Sequence, residues 1–218
     1  QWVQRSGSIF GEADYDRTGA RIDSNNDGDV IAIGSSQTIG VGPDAVGPGY
    51  VEVYEWTGST WQMRGSRFTG NNLGDWANYA YLDGSGDLLA IGEAGYDGEG
   101  LDRGRIRVFR WDGSEWYQVG SALTGNVDGE RLGERAAQLS DGGTRIFVAG
   151  RKNGRIYDWN GEDWQLRHGF QNWGLDFSSA SLSEDGNTVA LAVTPGGAPS
   201  EVRIFRGQGD DWAQIGAI

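Results

Sequence analysis

Apolar positions along this chain come in short runs with a period of two. "YVEVYEW" at 50–56 and "RIRVFRW" at 105–111 alternate strictly, while "VIAIG", "LLAIG", "RIFVAG" and "TVALAV" are nearly continuous Val, Ile, Leu and Ala. Runs this short, bounded by Gly, Asp and Asn, predict β-strands, because strand side chains point alternately to two faces. No stripe with a 3.6-residue period reaches useful length, so helix is expected to be nearly absent. The "DG", "NG" and "GG" pairs between runs supply the positive φ of tight hairpins. "RKNGRI" at 151–156 predicts a two-residue Asn-Gly hairpin on the same grounds.

The runs recur in a fixed order. Trp2, Trp61, Trp116, Trp164 and Trp212 each open a similar phrase, at spacings of 59, 55, 48 and 48 residues. Between them stand a first strand a ("GARI", "AYL", "AAQL", "SASL"), a Gly/Asp turn, an apolar strand b, a variable insert and an alternating strand c. A four-residue turn then leads to the next Trp strand, d. Four antiparallel strands at this period predict an all-β fold, a β-propeller with four blades. The blades fall at about 7–65, 66–120, 121–168 and 169–218, with an extra outer strand at 2–6. Each Trp-x-Gly-x-x-Trp phrase, such as "WDGSEW" at 111–116, is then the c–d hairpin, its indoles filling the gap between blades. The unmatched strand at 2–6 leaves two arrangements open: a four-bladed ring closed in an unusual way, or an arc of a larger propeller.

Composition narrows the function. Gly is 38 of 218 residues and Pro only 4, without a Gly-X-Y period, which indicates many turns rather than collagen. Ten Trp argue for a folded core, and the lack of Cys removes disulfides, thiolate metal sites and Cys nucleophiles. A net charge of −13 repels phosphate backbones and anionic bilayers, so nucleic acid is not an expected partner. No apolar run approaches the ~20 residues of a bilayer span, so membrane insertion is not expected either.

Residues 10–34, "FGEADYDRTGARIDSNNDGDVIAIG", resemble the FG-GAP repeat of integrin α-subunit propellers. Phe10-Gly11, an oxygen-rich turn and an apolar run ending at Gly34 carry the likeness. "LSEDGNTVALA" and the W-x-Q-x-G phrase are similar to the more degenerate FG-GAP-like repeats of secreted and surface proteins. The resemblance implies a propeller more firmly than any activity, and an extracellular or cell-surface setting.

The turn after strand a in the first blade carries Asp23, Asn25, Asp27 and Asp29. From Ile22 to Gly28 it encloses five residues, whereas Leu82 to Gly86, Leu139 to Gly143 and Leu182 to Gly186 enclose three. Alternate oxygen side chains before a Gly suit Ca²⁺. FG-GAP loops resemble this, with ligands at the first, third, fifth and ninth positions; the ninth here is Ile31, so Asp29 would have to substitute. A structural Ca²⁺ site and a plain turn of turn-favouring residues both fit the pattern.

The long variable segments, 35–49 and 93–104, lie on the face that carries the d–a and b–c connections. Trp76 and Trp173 fall outside the repeated Trp phrase, in d–a connections, and Tyr96 lies in a b–c insert. Aromatics on such a rim bind glycans or anchor protein partners; they serve equally as wedges between blades. Catalysis has no candidate residue. His168 is the single His, and no G-x-S-x-G, H-E-x-x-H or phosphate loop occurs. The expected function is therefore a non-catalytic module that binds a protein partner or assembles with itself. A lectin-like, glycan-binding propeller is the alternative, and a propeller-fold hydrolase a remoter one.

Overall fold

The computed structural model describes residues 3–37, 47–170, 175–195, 199–209 and 211–216. Four antiparallel sheets follow one another along the chain. The first holds β1 (Thr18–Ser24), β2 (Val30–Ser35), β3 (Tyr50–Trp56) and β4 (Trp61–Met63), with β5 (Phe68–Thr69) also on β3. The second holds β6 (Ala77–Leu82), β7 (Leu88–Glu93), β8 (Arg105–Trp111) and β9 (Trp116–Gln118), with β10 (Leu123–Thr124) also on β8. The third is β11 (Ala136–Leu139), β12 (Arg145–Ala149), β13 (Gly154–Trp159) and β14 (Trp164–Phe170). The fourth is β15 (Leu175–Leu182), β16 (Thr188–Pro195), β17 (Glu201–Gln208) and β18 (Asp211–Gln214). One 3-10 turn, Asp141–Gly143, is the only helical element among the described residues, and no helix is long and apolar enough to cross a membrane. The architecture is the all-β propeller that the strand period predicts.

The Trp phrases are the c–d hairpins. Trp56 pairs with Trp61, Trp111 with Trp116 and Trp159 with Trp164, at ring-centroid distances of 5.4, 5.4 and 5.1 Å. In the fourth blade Gly207 faces Trp212 instead. The indoles also stitch blades together. Trp116 Nε1 donates to Arg64 O at 2.8 Å, and Trp164 Nε1 to Val119 O at 3.1 Å. The receiving edge needs glycine. Gly65 has φ 79°, and a Cβ there would lie 2.6 Å from Trp116 Cδ1 and 3.0 Å from Trp111 Cζ3. Gly120, φ 71°, meets Trp159 and Trp164 in the same way. These close approaches break strand d into β4/β5 and β9/β10.

Strand alternation sends successive residues to opposite neighbours. Leu89 and Ile91 of β7 pack toward the first blade, Leu88 and Ala90 toward the third. Three apolar clusters result, joining the first blade to the second, the second to the third and the third to the fourth. Among the described residues no cluster joins the fourth blade to the first, so the four blades form an open arc. The four a–b turns meet at one end of its axis around a cleft of about 160 Å³, lined by Asn26, Gly84, Asp141 and Glu184 among others.

Three details depart from the sequence reading. Residues 3–6, expected as an outer strand, form no ladder; Arg5 instead rests 5.7 Å from the Trp56 ring, and Trp2 lies outside the described residues. "RKNGRI" is not a two-residue hairpin, because Ala149 pairs with Gly154 and leaves four residues, 150–153, in the connection. The first a–b turn is not longer than the others. Ser24 pairs with Ile31 as Leu82 pairs with Leu89, Leu139 with Ile146 and Leu182 with Val189. An exposed polar Ser stands at the register where the other blades have Leu.

Candidate functional site

The a–b turns share one clamp. The first turn residue takes the backbone N–H five positions on: Val30 N to Asn25 Oδ1 (3.0 Å), Leu88 N to Asp83 Oδ1 (3.0 Å), Arg145 N to Ser140 Oγ (3.1 Å) and Thr188 N to Ser183 Oγ (2.9 Å). Asn25 also donates through Nδ2 to Asp29 Oδ1 at 2.7 Å. Asp23 turns the other way. Its Oδ2 accepts Leu82 N of the second blade at 2.8 Å, and burial pushes its carboxyl up. Asp27 is exposed. Among the described residues no group of three His, Cys, Asp or Glu side chains is placed to hold a metal ion. The residues proposed to ligate Ca²⁺ do not fit a cage, because Asn25 already closes the turn and Asp23 caps a neighbouring strand.

The d–a connections share a second device. The Asp75 carboxylate is buried and takes the N–H groups of Asn71 (2.9 Å) and Asn72 (3.0 Å). Asp16 takes those of Glu12 (2.9 Å) and Ala13 (3.1 Å), and Glu130 those of Asn126 (2.7 Å) and Val127 (3.3 Å). Burial pushes the Asp16 carboxyl up, but hydrogen bonds from Tyr50 Oη and the two N–H groups outweigh it and leave it lowered. The residue after each carboxylate has positive φ: Arg17 (52°), Trp76 (54°) and Arg131 (51°). In each of the first three blades the turn thus thrusts one side chain onto the loop face, and of these three Trp76 is the aromatic one.

Trp76 and Tyr96 come together there. Both line a cleft of about 560 Å³ formed by 72–76 and the b–c insert of the second blade, 95–98 with Leu101 and Asp102. Gly95 N donates to Asp75 O at 3.0 Å, locking the insert against the d–a turn. The Arg131 guanidinium carbon lies 4.8 Å from the Trp76 ring, and Arg131 pairs with Asp102 at 2.7 Å. Asp102 itself has φ 49°. The Tyr96 ring is braced by Arg105 at 4.0 Å, which Glu93 holds through Nε at 2.8 Å. Tyr96 also borders a second cleft of about 600 Å³ with Glu99, Arg103 and Asn126. Leu73 and Leu101 are exposed beside the first cleft, and so is Asp97.

Of the three aromatics picked out in the sequence, two share this site; Trp173 lies outside the described residues. The sequence reading missed Arg131 and Asp102. The repeated "TGN" before each loop, at 69–71 and 124–126, is the signal that aligns Arg131 with Trp76. His168 sits on β14, half-buried, its ring 4.7 Å from Phe170, and burial lowers its pKa.

No protein-family model matches the chain, and no curated protein matches it either. Solved structures do. TolB from Acinetobacter baumannii is 15% identical with a TM-score of 0.54, over 89% of this chain and 43% of that one. Kuenenia stuttgartiensis hydrazine synthase is 11% identical with a TM-score of 0.59, over 99% and 53%. The WD40 repeats of RRP9 are 8% identical with a TM-score of 0.58, over 88% and 49%. All three are β-propellers. The chain spans about half the length of the solved structures it matches.

Proposed function

We propose that this chain is a non-catalytic, FG-GAP-like propeller module that binds a protein partner outside the cell or at its surface. The Trp76–Tyr96 cleft is its docking point. The observation that carries this reading is the pairing of two braced aromatic rings with exposed Leu73 and Leu101 in one cleft on the loop face. Rings held in place lose little entropy on binding, and clustered aromatics are where interface energy concentrates. The chain's net charge of −13 and the exposed Asp97 favour an extended peptide segment with basic as well as apolar side chains. Glycan binding is the second reading, favoured by Asn72 and Asp97 standing beside the same two rings.

An array of extended peptides varied in charge and apolar content tests the proposal. Peptides combining Arg or Lys with Leu or Phe are expected to bind. Trp76→Ala weakens them by tenfold or more, at about 1.4 kcal/mol per tenfold, whereas Tyr15→Ala, on another loop, leaves binding unchanged. Retention on an oligosaccharide array, lost in Trp76→Ala, with no peptide bound, moves the assignment to glycans.

A further inference from the structure

The ends of the arc carry the two halves of the interface that interior blades make with each other. At the tail, β17 repeats β8: Ile204 pairs with Ala190 as Val108 pairs with Ala90, and Val202 with Ala192 as Ile106 with Gly92. Ile106 and Val108 are 0% and 2% exposed against the third blade; Val202 and Ile204 are 54% and 40% exposed. The outer edge repeats as well. Ile215 N donates to Ile204 O at 2.8 Å, as Arg64 N does to Val53 O (2.7 Å) and Val119 N to Val108 O (2.8 Å). Ile215 O therefore stands where Arg64 O and Val119 O each accept an indole N–H of the next blade. Gly216 keeps the positive φ of Gly65 and Gly120, at 79°, yet open space lies where those two meet indoles.

The head offers what this edge lacks. Trp56 and Trp61 are the indole pair that, in the second and third blades, seats on the preceding blade. Ile22 occupies the register of Ala80 and is 65% exposed where Ala80 is 4%. Charge matches too. Inside the arc an Arg of one blade reaches the residue after the next blade's turn glycine: Arg64 to Asp87 at 2.5 Å, and Arg145 to Asn187 at 3.0 Å. At the head that residue is exposed Asp29; at the tail Arg206 is exposed, paired across the ladder with Thr188.

We propose that two copies of this chain dock head to tail, the fourth blade of each receiving the Trp56–Trp61 edge of the other, to close one eight-bladed ring. Eight blades is within the range of propellers. Residues 3–6 now rest on the head through Arg5 alone among described ring contacts, without pairing as a strand. β18 of the second copy takes that place. This assembly does not depend on the Trp76 cleft, and Trp76→Ala leaves it intact.

Light scattering after size exclusion tests it, with circular dichroism confirming the fold of each variant. The chain is expected near 47 kDa, twice 23.6 kDa, and deletion of residues 1–7 tightens the association. Ile22→Glu breaks the head and Ile204→Glu the tail, both at exposed positions, so each variant alone is monomeric. A heterologous contact has one further signature. Mixed one to one, the two monomeric variants recover a dimer, because one copy keeps its tail and the other its head. A monomer for the chain lacking residues 1–7, a dimer that survives either variant, or no dimer on mixing overturns the proposal. A mass that climbs with concentration in place of a fixed dimer overturns the closed ring.

Discussion

The second and fourth blades are written in nearly the same words, "LLAIG" with "RIRVFRW" and "TVALAV" with "EVRIFRG". Their strands pair in the same register. Their burial differs: the second blade is covered on both faces, the fourth on one. The alternation within a strand decides which face a side chain takes, and the neighbouring sheet decides whether that face is dry. An apolar residue in the right phase therefore specifies an expected neighbour rather than a core already made.

Substitutions at matched positions separate these two effects. In the isolated arc, Ile106→Ala leaves a cavity between the second and third blades and is expected to destabilise by about 2–5 kcal/mol. Val202→Ala, at the same register on the open face, is expected to stay within about 0.5 kcal/mol. Urea midpoints on monomeric samples measure both; equal losses would mean that the fourth blade is covered in solution. A smaller contrast is set by the edge glycines. Gly65→Ala and Gly216→Ala both force a left-handed conformation on a Cβ, at roughly 1–2 kcal/mol. Gly65→Ala adds the clash with Trp116, about 1–3 kcal/mol of overpacking, and near-UV dichroism of the Trp bands should change in that variant alone.

The smallest effect concerns the boundary between the third and fourth blades. Burial among Phe170 and Trp212 lowers the His168 pKa, so the unfolded chain takes up the proton first as pH falls. Its contribution is complete above the ordinary value of 6.5 and is lost as pH drops toward the folded value. His168→Phe should flatten the melting-temperature profile between about pH 7 and pH 5.

Much of the fold was legible because its signals are local. Trp56/Trp61 and Trp111/Trp116 announce a hairpin within six residues, and "YVEVYEW" announces its own two faces. The length of the first a–b turn is hidden for the opposite reason. Ser24 takes the place that Leu holds in the other blades, so the apolar pattern stops two residues early, and only the pairing of Ser24 with Ile31 restores the count. The aromatic half of the cleft was legible too, since Trp76 and Tyr96 stand outside the repeat. Its ionic half was not. Arg131 and Asp102 are 29 residues apart, and their meeting depends on how two loops from adjoining blades lean together. The recurring carboxylate was hidden by a change of residue, Glu130 standing where Asp16 and Asp75 stand.

That carboxylate has a consequence for how such a molecule diversifies. Asp16, Asp75 and Glu130 hold their turns from beneath, using backbone N–H groups that any sequence supplies. The side chain each turn displays, Arg17, Trp76 or Arg131, has no share in that support. A single codon change can therefore re-equip one module while the scaffold under it stays as it was, and where two displayed side chains meet, as Arg131 meets Trp76, neighbouring sectors of the rim change together.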